Sequence, residues 1–204
     1  MPRVRSFPHS MKTRLLLAVA LYSTVSAFAQ PTPTAPKPAL PNILFEGSFP
    51  EVTGGTPTTW NETGFAGGTH GNFVKSTADR DGNYVSLFIK SLATSTFNLT
   101  LRESIQLIPT WRTLAISYDI RVFNFIQGSE NHHKPRLNIT FFDQAGAELS
   151  HTGVSLPGKP AETWQTAEKR VSIPTGAVEA QIWIGTFSSQ GQLDYRQVTV
   201  IPSE

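Results

Sequence analysis

The chain has 204 residues, with 17 Lys and Arg against 15 Asp and Glu, 39% hydrophobic residues and no cysteine. This excludes a disulfide framework and a cysteine nucleophile, so stability must come from a packed core. It also excludes a nucleic-acid or anionic-membrane surface of the usual kind, because no run of Lys or Arg occurs.

The first element in chain order is an export signal. Met11 to Ala29 reads MKTRLLLAVALYSTVSAFA, in which Lys12 and Arg14 precede the apolar run Leu15 to Leu21 and Ala27-Phe28-Ala29 forms a cleavage pattern before Gln30. That apolar core is well short of the roughly 20 residues of a membrane span. Residues 1–29 are therefore read as an N-terminal extension (Met1 to Ser10) and a signal peptide of bacterial type, with the mature protein periplasmic or extracellular. Arg3, Arg5, Lys12 and Arg14 leave with the leader, which takes 17 basic side chains to 13 against 15 acidic ones, a net charge of −2. Residues 30–41, QPTPTAPKPALP, alternate Pro with small residues and read as an extended, semi-rigid linker.

Residues 42–204 are enough for one domain that buries roughly 70% of its unfolded surface. Gly, Pro, Asn and Asp punctuate it about every ten residues, and β-branched and aromatic residues alternate with polar ones between the breaks. The predicted strands are Tyr84 to Ser91, Phe97 to Leu107, Thr113 to Phe125, Arg136 to Phe142, Lys169 to Ile173, Val178 to Phe187 and Asp194 to Ile201. Asp79 to Asn83 and Asp143 to Gly146 are turn signals. No segment keeps helical periodicity, so the expected fold is all-β, an antiparallel two-sheet β-sandwich. The sequons at Asn61, Asn98 and Asn138 are read as strand composition.

The stretch Asn42 to Trp60, NILFEGSFPEVTGGTPTTW, gives a short apolar strand, a tight Gly turn, a Phe and a Gly/Pro loop that delivers a Trp. It resembles the opening of secreted carbohydrate-binding modules of families four and nine, and of the wider galactose-binding-like jelly rolls. Asp81-Gly82-Asn83-Tyr84, Leu114 to Tyr118, Leu137 to Gly146, Trp164 leading into Val171 to Pro174, and Gly176-Ala177 extend the likeness in order through most of the domain. The resemblance implies a jelly roll that binds saccharides on an outer sheet face or a loop edge, with Trp60 and Trp164 packed in the core. Modules of this kind often hold a structural calcium through the acid after the opening Phe and an Asp near the C-terminus. Those positions here are Pro50 and Arg196, so the domain is expected to fold without metal or other cofactor, the alternative being a calcium site rebuilt nearby from Glu46, Glu51 and Asp194.

Strand phase marks a candidate ligand face. In Val178 to Phe187, Val178, Ala180, Ile182 and Ile184 share one face, leaving Gln181, Trp183 and Phe187 on the other. In Thr113 to Phe125, Leu114, Ile116, Tyr118, Ile120 and Val122 point inward, opposite Asp119, Arg121, Phe123 and Phe125. Arg136, Asn138, Thr140 and Phe142 likewise oppose Leu137, Ile139 and Phe141. Aromatic faces pack on sugar C–H surfaces while Arg, Asn and Gln pair with hydroxyls. The predicted site is Trp183 with Phe123, Arg121, Gln181, Asn138 and Arg136 on one shallow surface. Covered outward aromatics are common, so Phe141-Phe142 is also consistent with burial on both faces. Trp111 fits either core or rim.

The remaining polar residues point to no chemistry. Glu103 shares phase with Phe97, Leu99, Leu101, Ile105 and Leu107, which places it at a sheet edge or in a polar cavity. Asp119 falls on the opposite phase, so the two strand acids do not converge. His132-His133 in Gly128 to Pro135 read as a solvated loop that rims the ligand face rather than a metal site with Glu130. His70 and His151 read as structural or surface. No nucleophile elbow, H-E-x-x-H or P-loop occurs, and no carboxylate pair is set for glycoside hydrolysis. The expected function is non-catalytic binding of an oligo- or polysaccharide. The alternatives are a structural or protein-interaction sandwich with an envelope protein partner, and a glycan-acting hydrolase.

Overall fold

The computed structural model describes residues 49, 59–64, 72–80, 82–90 and 96–204, all within one compact unit. The predicted leader and linker, most of the opening stretch with Glu46, Pro50 and Glu51, and His70 lie outside the described residues. Among those described, the strands are β1 (Trp60–Thr63), β2 (Phe73–Asp79), β3 (Gly82–Ile89), β4 (Thr96–Leu101), β5 (Ile105–Gln106), β6 (Thr113–Ile126), β7 (Arg136–Phe142), β8 (Glu148–Ser155), β9 (Gln165–Ser172), β10 (Glu179–Phe187) and β11 (Gln190–Ser203). One sheet has the order β1-β4-β10-β7-β8, with β5 also pairing β10, and the other β2-β3-β11-β6-β9. Every pairing is antiparallel. The fold is the expected all-β sandwich.

Alternation builds the core. Leu114, Ile116, Tyr118, Ile120 and Val122 of β6 are buried, and facing them across the sandwich are Leu137, Ile139 and Phe141 of β7 and Ala180, Ile182 and Ile184 of β10. Each fully buried Leu or Ile contributes about 1.5–3 kcal/mol against the chain entropy. Two tyrosines cross this apolar layer. Tyr118 Oη donates to the Val154 carbonyl at 2.6 Å, and Tyr195 Oη donates to the Gly185 carbonyl at 3.1 Å. Both stand on the second sheet, both acceptors belong to the first, and the rings lie 5.7 Å apart. Burial without such partners would cost roughly 1–3 kcal/mol per hydroxyl.

Several sequence expectations are corrected. The strand predicted from Phe97 to Leu107 breaks at Arg102–Ser104, and that bend carries Glu103 to the solvent. Val178 lies just outside β10 and is exposed. Phe125 packs against the core instead of facing outward, because Asn124 takes a positive φ of 49° and resets the alternation of β6. Trp60 is buried against Phe49, as the resemblance implied, but Trp164 lies outside the core cluster. Trp111 is buried. β1, β2 and β8 lie where no strand was predicted, since their residues alternate only weakly between apolar and polar. The turn after β7 is as expected: Asp143 Oδ1 accepts from the Ala145 and Ala147 amides, both at 2.9 Å.

Burial pushes the Tyr118 and Tyr195 hydroxyls up from the ordinary tyrosine value of 10.0. The folded state therefore keeps protons that the unfolded chain releases above that value. The stabilising contribution is intact below pH 10 and declines as pH rises beyond it, by about 1.4 kcal/mol per pH unit for each tyrosine. Spectrophotometric titration should show these two phenols ionising only together with unfolding, at a pH where an exposed tyrosine has already ionised.

Candidate functional site

The outer face of the first sheet is set by register. Trp183 of β10 stands between Thr100 of β4 and Asn138 of β7, and the next outward row is Asn98, Gly185, Arg136 and Ser155. Gly185 has a φ of 150°, and a Cβ there would collide with the Phe97 carbonyl and come within 2.7 Å of the Asn98 Cα. Glycine is therefore required, and the position carries no side chain. Over it Trp183 and Phe187 lean together edge to face, with ring centroids 5.2 Å apart. With the Asn138 amide oriented to suit its neighbours, its oxygen accepts from Trp183 Nε1 at 3.3 Å and its nitrogen donates to the Thr152 carbonyl at 3.1 Å.

The β6–β7 connection extends this ridge. Asn131–His133 forms a 3-10 turn whose His133 is buried: its Nδ1 accepts from the Glu130 amide at 3.3 Å, and its carbonyl accepts from Thr186 Oγ1 at 2.6 Å and Ser189 Oγ at 2.7 Å. That anchoring corrects the expectation of a fully solvated loop, because His133 fixes the turn to β10. It presents exposed His132 edge-on to Phe187, centroids 5.9 Å apart. The loop thus rims the face. Among the described residues no cluster of three metal-ligating side chains exists. His151 is on the surface, with its Nδ1 2.6 Å from Glu148 Oε1.

The structure divides the predicted site. Trp183, Gln181, Asn138 and Arg136 share the outer face of the first sheet, whereas Arg121 and Phe123 lie on β6, in the second sheet. Their outward side chains face the opposite side of the sandwich, so one surface holding all six residues is ruled out. Phase analysis finds which residues point outward but not from which sheet. Asn138 also differs from expectation. It is only 6% exposed and its amide is used on Trp183, so it orients the indole from below. Phe187 and His132 complete the ridge. Phe187 shares Trp183's phase, a signal present in the sequence, while the position of His132 depends on the folded loop.

Arg121 has a different task. Its Nε donates to Asp194 Oδ2 at 2.8 Å, and Asp194 is fully buried. Next to it Arg196 Nε donates to Asp119 Oδ2 at 3.1 Å. Trp164 lies between the two cations, with Arg121 Cζ 4.4 Å and Arg196 Cζ 4.1 Å from its ring. This clip, unlike a core position, is where Trp164 is used. It also engages Asp194, one of the acids expected to be available near the lost calcium positions. Asp194→Ala would leave Arg121 without its buried counter-charge, a loss of about 3 kcal/mol or more. Urea unfolding should show that drop.

No family model matches the chain, and no curated protein matches it. Solved structures do. A CBM4 structure is 18% identical with a TM-score of 0.50, covering 77% of this chain and 97% of that one. The CBM22-1 xylan-binding domain of Xyn10C from Paenibacillus barcinonensis is 17% identical with a TM-score of 0.51, covering 80% and 96%. The enzymatically active domain of tailspike protein 4 from bacteriophage CBA120 is 18% identical with a TM-score of 0.54 over 72% of this chain, which spans only 20% of that longer one. The architecture is the jelly-roll sandwich found in carbohydrate-binding modules. At such identities the likeness establishes the fold alone.

Proposed function

We propose that this is an exported, non-catalytic protein that binds an oligo- or polysaccharide on the outer face of its first sheet. The observation that carries the reading is the ridge of Trp183 and Phe187, bordered by His132, Arg136, Gln181 and Thr140. Apolar ring surface beside fixed hydrogen-bonding groups is the chemistry a pyranose requires. The absence of catalysis is supported by the placement of acids. In register, Glu179 and Glu148 both lie opposite Phe142, four positions along β7 from Asn138, which faces Trp183, and so roughly 14 Å from the near end of the ridge at about 3.4 Å per residue. Export follows from the leader sequence.

Trp183→Ala tests the reading. Losing one stacking contact of about 1–2 kcal/mol lowers affinity roughly five- to thirtyfold. Affinity electrophoresis or calorimetry against a polysaccharide panel measures it, with the melting temperature nearly unchanged. Unaltered binding, or the collapse expected when a core Trp is truncated at about 3–5 kcal/mol, would assign Trp183 a structural role.

A further inference from the structure

The arginines Arg121, Arg196 and Arg136 on the two outer faces are not in equivalent surroundings. On the second sheet Arg121 and Arg196 each donate to an aspartate that is at most 13% exposed. On the first sheet Arg136 has no ion-pair partner among the described residues. Its Nε donates to the Lys134 carbonyl at a long 3.4 Å, and its Cζ lies 5.9 Å from the Phe187 ring. Gly153 gives it room: a Cβ there would come within 3.2 Å of Arg136 Nη1 and 3.4 Å of its Cδ. The side chain therefore lies across β8, half-buried beside the aromatic ridge, and among the described residues the Nη protons of its fork have no hydrogen-bond acceptor.

The surroundings deepen this imbalance. The strand acids of the face, Glu179 and Glu148, are both at its far end, engaged with Gln106 and His151. The loop's acid, Glu130, is exposed and makes no ion pair with Arg136. Lys134 and His132 join Arg136 at the same end. Burial lowers the Arg136 pKa, the mark of a cation held partly out of water. A planar fork with free N–H groups matches carboxylate and sulfate oxygens in paired hydrogen bonds.

We propose that Arg136 makes this face selective for an anionic glycan, pairing with the carboxylate of a uronic acid or the sulfate ester of a sugar that lies on the Trp183–Phe187 ridge. The inference rests on the sugar-face reading above and adds the charge of the ligand to it.

The test uses the full chain and matched polymers: glucuronoxylan, polygalacturonate and alginate beside their carboxyl-reduced forms, and a sulfated galactan beside its desulfated form. The expected result is about tenfold or greater preference for one anionic form over its neutral counterpart at low salt, weakening as salt is added. Arg136→Gln should remove that preference and the salt dependence, read as the ratio of anionic to neutral affinity, and Arg136→Lys should restore part of both. The carboxylated and sulfated arms identify which anion is read. Equal affinity for anionic and neutral forms, measured on the unaltered protein, overturns the inference and leaves the sugar face standing provided Trp183→Ala still loses binding. A preference that survives Arg136→Gln overturns it too. Binding to no polymer in either form overturns both readings.

Discussion

The two tyrosine hydroxyls that cross the core are the constraint on which the arrangement depends. A purely apolar sandwich could let its sheets slide, because hydrophobic contact has no direction. Tyr118 and Tyr195 remove that freedom by reaching from the second sheet to backbone carbonyls of the first, at Val154 and Gly185. Gly185 is the bare position beneath the Trp183–Phe187 ridge, and Val154 is next to Gly153, over which Arg136 lies. The backbone beneath both outward features is thus tied to two fully buried hydroxyl groups. A hydrogen bond of net worth near 1 kcal/mol sets the place of the face through geometry more than through energy.

The two outer faces are built on opposite electrostatic principles. On the second sheet Arg121 and Arg196 each meet an aspartate, and Trp164 fills the space between them, so these two charges are neutralised within the protein. On the first sheet the aromatic rings are packed and oriented, Trp183 through Asn138 and Phe187 through His132, while the neighbouring guanidinium is left without an anion among the described residues. A face whose geometry is complete and whose charge is not differs physically from a surface that is merely solvated.

Much of the fold was legible because period-two alternation directly encodes burial. The inward sets of β6, β7 and β10 could be read residue by residue. The exceptions came from single backbone events. Asn124 at positive φ turned Phe125 inward, and the bend at Arg102–Ser104 released Glu103, neither of which alters side-chain polarity in the sequence. The site was half legible. Trp183, Gln181 and Arg136 were found by phase, but the same logic admitted Arg121 and Phe123, since phase is defined within a strand and sheet membership is not. Asn138 showed a further limit, because outward direction does not imply exposure when a large neighbour covers it.

The order of strands governs how such a chain can acquire its structure. In the second sheet β3 and β6 meet only through β11, and in the first β4 and β7 meet only through β10. Both joining strands come after residue 178, and Thr113 pairs with Ser203 across most of the folded sequence. A chain emerging from its N-terminal end would carry unpaired strand edges until residues 179–203 arrived, and loop-closure entropy of that size slows folding. Until then only the pairs β1–β4, β2–β3, β6–β9 and β7–β8 can form, neither sheet can close, and the open edges are the ones a holding chaperone must keep from aggregating.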